Sequence, residues 1–168
     1  MSPAAPTDAF LEQVELNRGI LFKVAHAYCR DPHDREDLVQ DILVQVWRSF
    51  ERFDGRCKFS TWMYRIALNV AISFTRAERA RAAPLLQDEA RLCGLPDLSD
   101  PAPLPEGLAF LQRFIDGLPP LDKALLLLYL DDRPHAEIAD VLGLTATHVA
   151  TKIGRLKQRL REQAAPTR

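Results

Sequence analysis

Apolar residues recur at helical spacing along most of the chain, and strand-like alternation is absent. Phe10, Val14, Leu21, Val24 and Tyr28 mark one side of a first helix that Asp31-Pro32 stops. That pair also starts a second helix. Asp31 or Asp34 can cap it, and Asp34, Glu36 and Asp37 lie near the positive end of its dipole. Val39, Ile42, Leu43, Val46 and Phe50 form its predicted inner stripe. After the polar turn Phe53-Asp54-Gly55-Arg56, Ser60 is positioned to cap a third helix from about Thr61 to Arg81.

The pattern then changes. From Pro84 to Pro105 the chain holds Pro96, Pro101 and Pro103 with Asp88, Glu89, Asp97 and Asp100, which reads as a flexible acidic linker, briefly helical around Leu85 to Leu92. Periodicity resumes near Glu106 with Leu108, Leu111, Phe114 and Ile115, breaks at Gly117-Leu118-Pro119-Pro120, and continues from Leu121 to Leu130. A short helix from His135 to Leu142, a turn at Gly143 and a last helix from Thr145, its cap, to about Gln163 complete the chain. The expected fold is all-α: a domain at 1–83, a linker at 84–105 and a domain at 106–168, each with its own core.

Composition narrows the function. At 168 residues with 47% apolar and 27% charged residues, the chain can build real cores. A net charge of −1 excludes a uniformly basic coat, but it is an average that can conceal a local basic patch. Cys29, Cys57 and Cys93 are an odd number at wide spacing, which fits a reducing compartment. The densest apolar run, Ala124 to Leu130, is far short of a membrane span, and no signal-peptide pattern opens the chain, so a cytoplasmic protein is expected. His26, Cys29 and His33, with Cys57, have a spacing that could suggest zinc. Pro32 breaks that face, and a buried cysteine with surface histidines is the simpler reading. No nucleophile-base set or phosphate-binding glycine loop is present, so neither an enzyme nor a cofactor is expected.

Three groups of residues carry candidate chemistry. Ala139 and Gly143 suit the tight inner side and turn of a helix-turn-helix, glued by Ile138, Val141, Leu142, Leu144 and Val149. The last helix carries Lys152, Arg155, Lys157, Arg159 and Arg161 against the acid Glu162, a positive excess suited to phosphate. Thr147, His148, Ala150 and Thr151 occupy the turns that meet base edges. On the second helix Asp37, Gln40, Asp41 and Arg48 face away from the apolar stripe, and a partner surface or plain solvation accounts for them equally. In the third helix Trp62, Asn69, Ser73 and Arg76 fall in line, a ring, amide and guanidinium able to stack, pair and hold an unpaired base; a Trp at a helix start is also commonly core.

In this order the motifs resemble the extracytoplasmic-function group of bacterial RNA polymerase sigma factors, over nearly the whole chain. Asp34 to Asp41 with Trp47 is similar to the family's polymerase-binding helix. Phe53-Asp54-Gly55 through Phe59-Ser60-Thr61-Trp62 to Asn69 is similar to its promoter-melting segment. Leu118-Pro119-Pro120 and Glu137-Ile138-Ala139 through Leu142-Gly143-Leu144, up to Arg159-Leu160-Arg161-Glu162, resemble its second DNA-binding domain. The resemblance implies a region 2 bundle and a region 4 helix-turn-helix in a non-catalytic subunit, with no small-molecule substrate.

Its partners would be core RNA polymerase, through the beta and beta-prime subunits, promoter DNA and an anti-sigma factor, which could hold it at the inner membrane. Asp37, Gln40, Asp41, Trp47 and Arg48 would bind polymerase. Phe53, Asp54, Arg56, Lys58, Phe59, Trp62, Asn69, Ser73 and Arg76 would open the minus-ten element. Thr147, His148, Ala150, Thr151, Lys152, Arg155 and Lys157 would read the minus-thirty-five element. Three positions depart from the family pattern: Ala150, where Lys or Arg is common; Gly154, where a larger residue is frequent; and Ser73, where a charged or amide residue is common. The linker acids could mimic phosphate in the polymerase channel, as the family implies, or act as a solvating tether. A stand-alone helix-turn-helix regulator would leave the Trp62–Asn69 stripe unexplained, and a protein-binding adaptor would leave the basic last helix unused.

Overall fold

The computed structural model describes residues 6–82 and 104–165. The linker reading, with its short helix, its acids and Cys93, lies outside the described residues. Among those described there are seven helices and no strand: α1 (Pro6–Tyr28), α2 (Pro32–Phe50), α3 (Phe59–Ala82), α4 (Glu106–Asp116), α5 (Pro120–Leu130), α6 (His135–Leu142) and α7 (Ala146–Ala164).

Local chemistry explains the breaks. Asp31 caps α2, accepting from the backbone N–H groups of His33 and Asp34 while Pro32 fills the first turn. Gly55 and Gly143 take the left-handed conformation, at φ +73° and +67°, where a Cβ would be strained. Asp132, between α5 and α6, does so at φ 54°, as a short polar side chain can. The expected cap at Ser60 is corrected: α3 begins at Phe59, so Ser60 lies inside the first turn and its hydroxyl accepts from Arg133.

In the N-terminal block, α1, α2 and α3 pack mutually around Val24, Leu38, Ile42, Val46, Met63, Tyr64, Ala67 and Ala71, all fully buried. Leu38, absent from the predicted stripe, is among its most buried members. In the C-terminal block, Ala124, Leu125, Leu128, Ile138 and Val149 are buried between α5, α6 and α7. Each large apolar side chain so buried contributes roughly 1.5–3 kcal/mol.

The expectation of two separate cores is also corrected. Buried residues of both blocks join one cluster, because α1 packs on α4 and α5, and α3 packs on α5 and α6. The junction is partly polar, so hydropathy gave no sign of it. Tyr28 donates to the Pro120 carbonyl at 2.7 Å, Tyr64 to Asp131 at 2.9 Å and Thr61 to Glu137 at 2.6 Å.

Candidate nucleic-acid and partner interface

Because Leu38, Ile42 and Val46 turn α2 inward, Asp37, Gln40, Asp41, Trp47 and Arg48 are all exposed. Trp47 is 46% exposed, with its ring set edge-on against Phe10 at 4.8 Å, so one side is fixed and the other presented. Between α2 and α3 runs a groove of about 480 Å³, lined by Asp41 and Gln45 from α2 and by Asn69, Ser73 and Arg81 from α3, over an apolar floor that includes Val70 and Phe74. The structure thus brings Asp41 of the partner face beside Asn69 and Ser73 of the base-contacting stripe. Gln45 and Arg81 were not singled out from sequence; Gln45 follows Asp41 by one helical turn, the spacing that would have flagged it.

Before α3, the loop at 54–58 is exposed. Asp54 accepts from the Arg56 backbone N–H at 3.1 Å and pairs with its guanidinium at 2.9 Å, so the loop's acid partly neutralises one of its cations; Lys58 is exposed beside them. Phe53, Phe59 and Trp62 cluster with ring centroids 5.0–5.5 Å apart. Phe59 is 7% exposed and lies beneath this platform, whereas Phe53 and Trp62 are half-buried and offer ring edges. Asn69 lies two turns further along α3, about 10 Å from Trp62 on the same side. It shares the α2–α3 groove and not the ring cluster, and neither Trp62 nor exposed Arg76 lines that groove.

The helix-turn-helix forms as expected. Gly143 ends α6, the Leu144 N–H bonds back to the Ala139 carbonyl at 2.9 Å, and the Thr145 hydroxyl caps α7 by accepting from the His148 N–H at 3.1 Å. Val149, Ile153 and Leu156 face the core, leaving Thr147, His148, Ala150, Thr151 and Arg155 exposed. Two cations expected at DNA turn back onto their own block. Lys152 pairs with Asp122 at 3.1 Å, and the Lys157 ammonium lies 4.6 Å from the Tyr129 ring centroid. The three-residue spacings Val149–Lys152 and Ile153–Leu156 set Lys152 beside the buried stripe, within reach of Asp122.

Cys29 is buried, and burial first, then the charges of Asp34 and Glu78, push its thiol up to about 11, so it stays protonated and unreactive. Among the described residues His, Cys, Asp and Glu form no group of three spaced to hold a metal, and no helix is long and apolar enough to cross a membrane.

Residues 13–81, from α1 through α3, match the family model for Sigma-70 region 2, and residues 111–160, from α4 through α7, match that for Sigma-70 region 4. The ECF RNA polymerase sigma factor SigW of Bacillus subtilis is 27% identical over 170 residues, covering 93% of this chain and 89% of SigW. The chain belongs to the extracytoplasmic-function sigma factors. The ECF sigma-E factor of Escherichia coli is 29% identical over 79% of this sigma factor and 75% of its own length. SigG of Mycobacterium tuberculosis is 29% identical over 82% of this chain but 44% of itself.

In fold, the sigma factor is similar to RpoE solved with the anti-sigma factor NepR from Bartonella quintana, with TM-score 0.72, 18% identity and coverage of 95% of this chain and 99% of that one. CnrH, solved with the cytosolic domain of CnrY, gives TM-score 0.66 at 23% identity over 93% and 87%. Sigma factors are transcription initiation factors and not enzymes: this one binds core RNA polymerase and directs it to promoter DNA.

Proposed function

We propose that the exposed face of α2, Asp37, Gln40, Asp41, Trp47 and Arg48, docks on the beta and beta-prime subunits. In this reading the 54–58 loop, the Phe53–Trp62 platform, Asn69, Ser73 and Arg76 capture an extruded minus-ten base. The exposed turns of α7 read the minus-thirty-five duplex. The observation that carries it is the shared α2–α3 groove, where Asp41 and Asn69 stand together. Docking there sets polymerase beside the strand being opened, and unstacking a base costs a few kcal/mol that a preformed pocket and cations such as Arg56 and Lys58 offset. On α7 the direct readers are Thr147, His148, Ala150, Thr151 and Arg155. Ala150 can meet a thymine methyl but cannot pair with guanine.

The working units are residues 1–83 and 106–168, with 84–105 as tether. The family matches at 13–81 and 111–160 support this division. An anti-sigma factor controls the protein in the cytoplasm, in one arrangement from the inner membrane. The anti-sigma factor NepR and the cytosolic domain of CnrY, each solved in complex with one of the two similar structures, support that control.

Purified protein added to core polymerase is expected to start transcription at a subset of promoters and to bind duplex weakly alone. Tight duplex binding without polymerase would favour a stand-alone regulator. Sequencing the transcripts identifies the promoters in the same experiment.

A further inference from the structure

The cations of the last helix, Lys152, Arg155, Lys157, Arg159 and Arg161, are held in unequal ways. Thr147, Thr151, Gly154 and Gln158 are all exposed and, at about 100° per residue, line up opposite the buried Val149, Ile153 and Leu156. The crest of the recognition helix is therefore uncharged, and phosphate contact falls to the cations on its flanks. Lys157 lies over Tyr129 and Arg159 over Phe114, at 4.6 and 6.0 Å from the ring centroids. Those rings orient the side chains and leave their charge in place. Lys152 differs. Its ammonium meets the Asp122 carboxylate of α5 at 3.1 Å, the one ion pair of α7 among the described residues, and the two side chains keep only 26% and 20% of their surface exposed. Asp122 sits in the first turn of α5, where the helix dipole favours a carboxylate.

We propose that Asp122 is an intramolecular phosphate mimic that holds Lys152 off the DNA backbone and so sets how strongly α7 grips duplex of any sequence. The inference rests on the reading of α7 as the minus-thirty-five helix. Lys152 stands one residue after Thr151 and three before Arg155, both exposed readers in that assignment. Its flexible four-carbon stem gives the ammonium a choice between Asp122 and a phosphate beside those residues. While the pair holds, Lys152 presents no net charge to that phosphate, and the carboxylate repels it.

A phosphate contact strengthens binding to every sequence alike, whereas contacts to base edges discriminate. Asp122 thus removes affinity without removing sequence information. The free sigma factor is kept off bulk duplex, and α7 is left to act on DNA that polymerase brings to it.

The test compares the parent full chain with Asp122→Asn, which keeps the side chain's shape and removes its charge. Binding is followed by fluorescence anisotropy across a salt series. The full chain alone is given a random-sequence duplex. The holoenzyme is given a promoter identified by transcript sequencing and the same promoter with its minus-thirty-five element scrambled. Asp122→Asn should raise affinity about fivefold on all three and steepen the log–log salt dependence by about one unit, the mark of one added phosphate contact. Adding Lys152→Ala to Asp122→Asn should abolish the gain. A gain that survives Lys152→Ala shows that Asp122 acts by general repulsion of DNA, and it overturns the mimic. An unchanged slope in Asp122→Asn with parent-like thermal unfolding overturns it too.

If Asp122→Asn does not fold, Lys152→Ala alone decides: the parent's slope supports the mimic, and a shallower one shows Lys152 already on DNA and overturns it. Arg155→Ala separates this inference from the reading beneath it. A shallower slope for Arg155→Ala with no effect of Asp122→Asn overturns the mimic and leaves α7 as the minus-thirty-five helix. No slope change in any variant overturns both.

Discussion

Tyr64 of α3, with no exposed surface, donates its hydroxyl to the Asp131 carboxylate at 2.9 Å across the junction of the two blocks. Burial by itself raises Asp131. Hydrogen bonds from Lys23, Tyr64 and Arg133 outweigh that effect and hold the carboxyl below its ordinary value of 3.8, while burial and this same bond raise Tyr64. A carboxylate depressed in the folded state contributes stability above its unfolded pKa and loses it as pH falls through the folded one. Asp131→Asn should therefore lower the urea midpoint at about pH 6, and the gap to the parent should close as pH falls below the ordinary value of 3.8 and through the lower folded one. A gap constant across that range would show that the charge of Asp131 adds nothing.

Asn69 lies in the groove beside Asp41 but on a different helix, which makes its role separable. Asn69→Ala should reduce open-complex formation at least ~10-fold, equivalent to about 1.4 kcal/mol, with affinity for core polymerase unchanged. Permanganate reactivity of minus-ten thymines reports the opening. Loss of polymerase affinity instead would move Asn69 into the docking face.

On α7, two cations of equal formal charge should behave differently. Arg155→Ala, at an exposed position, should reduce the salt dependence of promoter binding by the holoenzyme by about one unit of log–log slope. Lys152→Ala should leave that slope unchanged and cost about 1 kcal/mol of folding stability through loss of the Asp122 pair. A slope change for Lys152→Ala would return it to the DNA contact set.

Gly143→Ala should destabilise the C-terminal block by about 1–2 kcal/mol, because the left-handed conformation strains any Cβ even though open space surrounds it. Thr145→Ala should cost about 1 kcal/mol by removing the α7 cap. Thermal unfolding of the two variants checks both values.

The order of helices, the caps at Asp31 and Thr145, the turn at Gly143 and the exposed faces of α2 and α7 were legible in the sequence, because each depends on residues within one or two helical turns of each other. The motifs of the family were legible for the same reason, being contiguous in the chain. Three things depended on packing between elements. Phe59 reads as one more aromatic of the melting segment until Phe53 and Trp62 are seen above it. Lys152 and Lys157 read as free cations of the last helix, and only the packed structure sets them against Asp122 and Tyr129 of α5. Ser60, Thr61, Tyr64 and Arg65 lie more than sixty residues before Asp131, Arg133, Glu137 and Asp140, and polar residues at such separation read as two unrelated surfaces. Periodicity determines which side of a helix is apolar. Which helix that side meets, and which charges find each other across the junction, is decided by long-range complementarity that only the assembled structure contains.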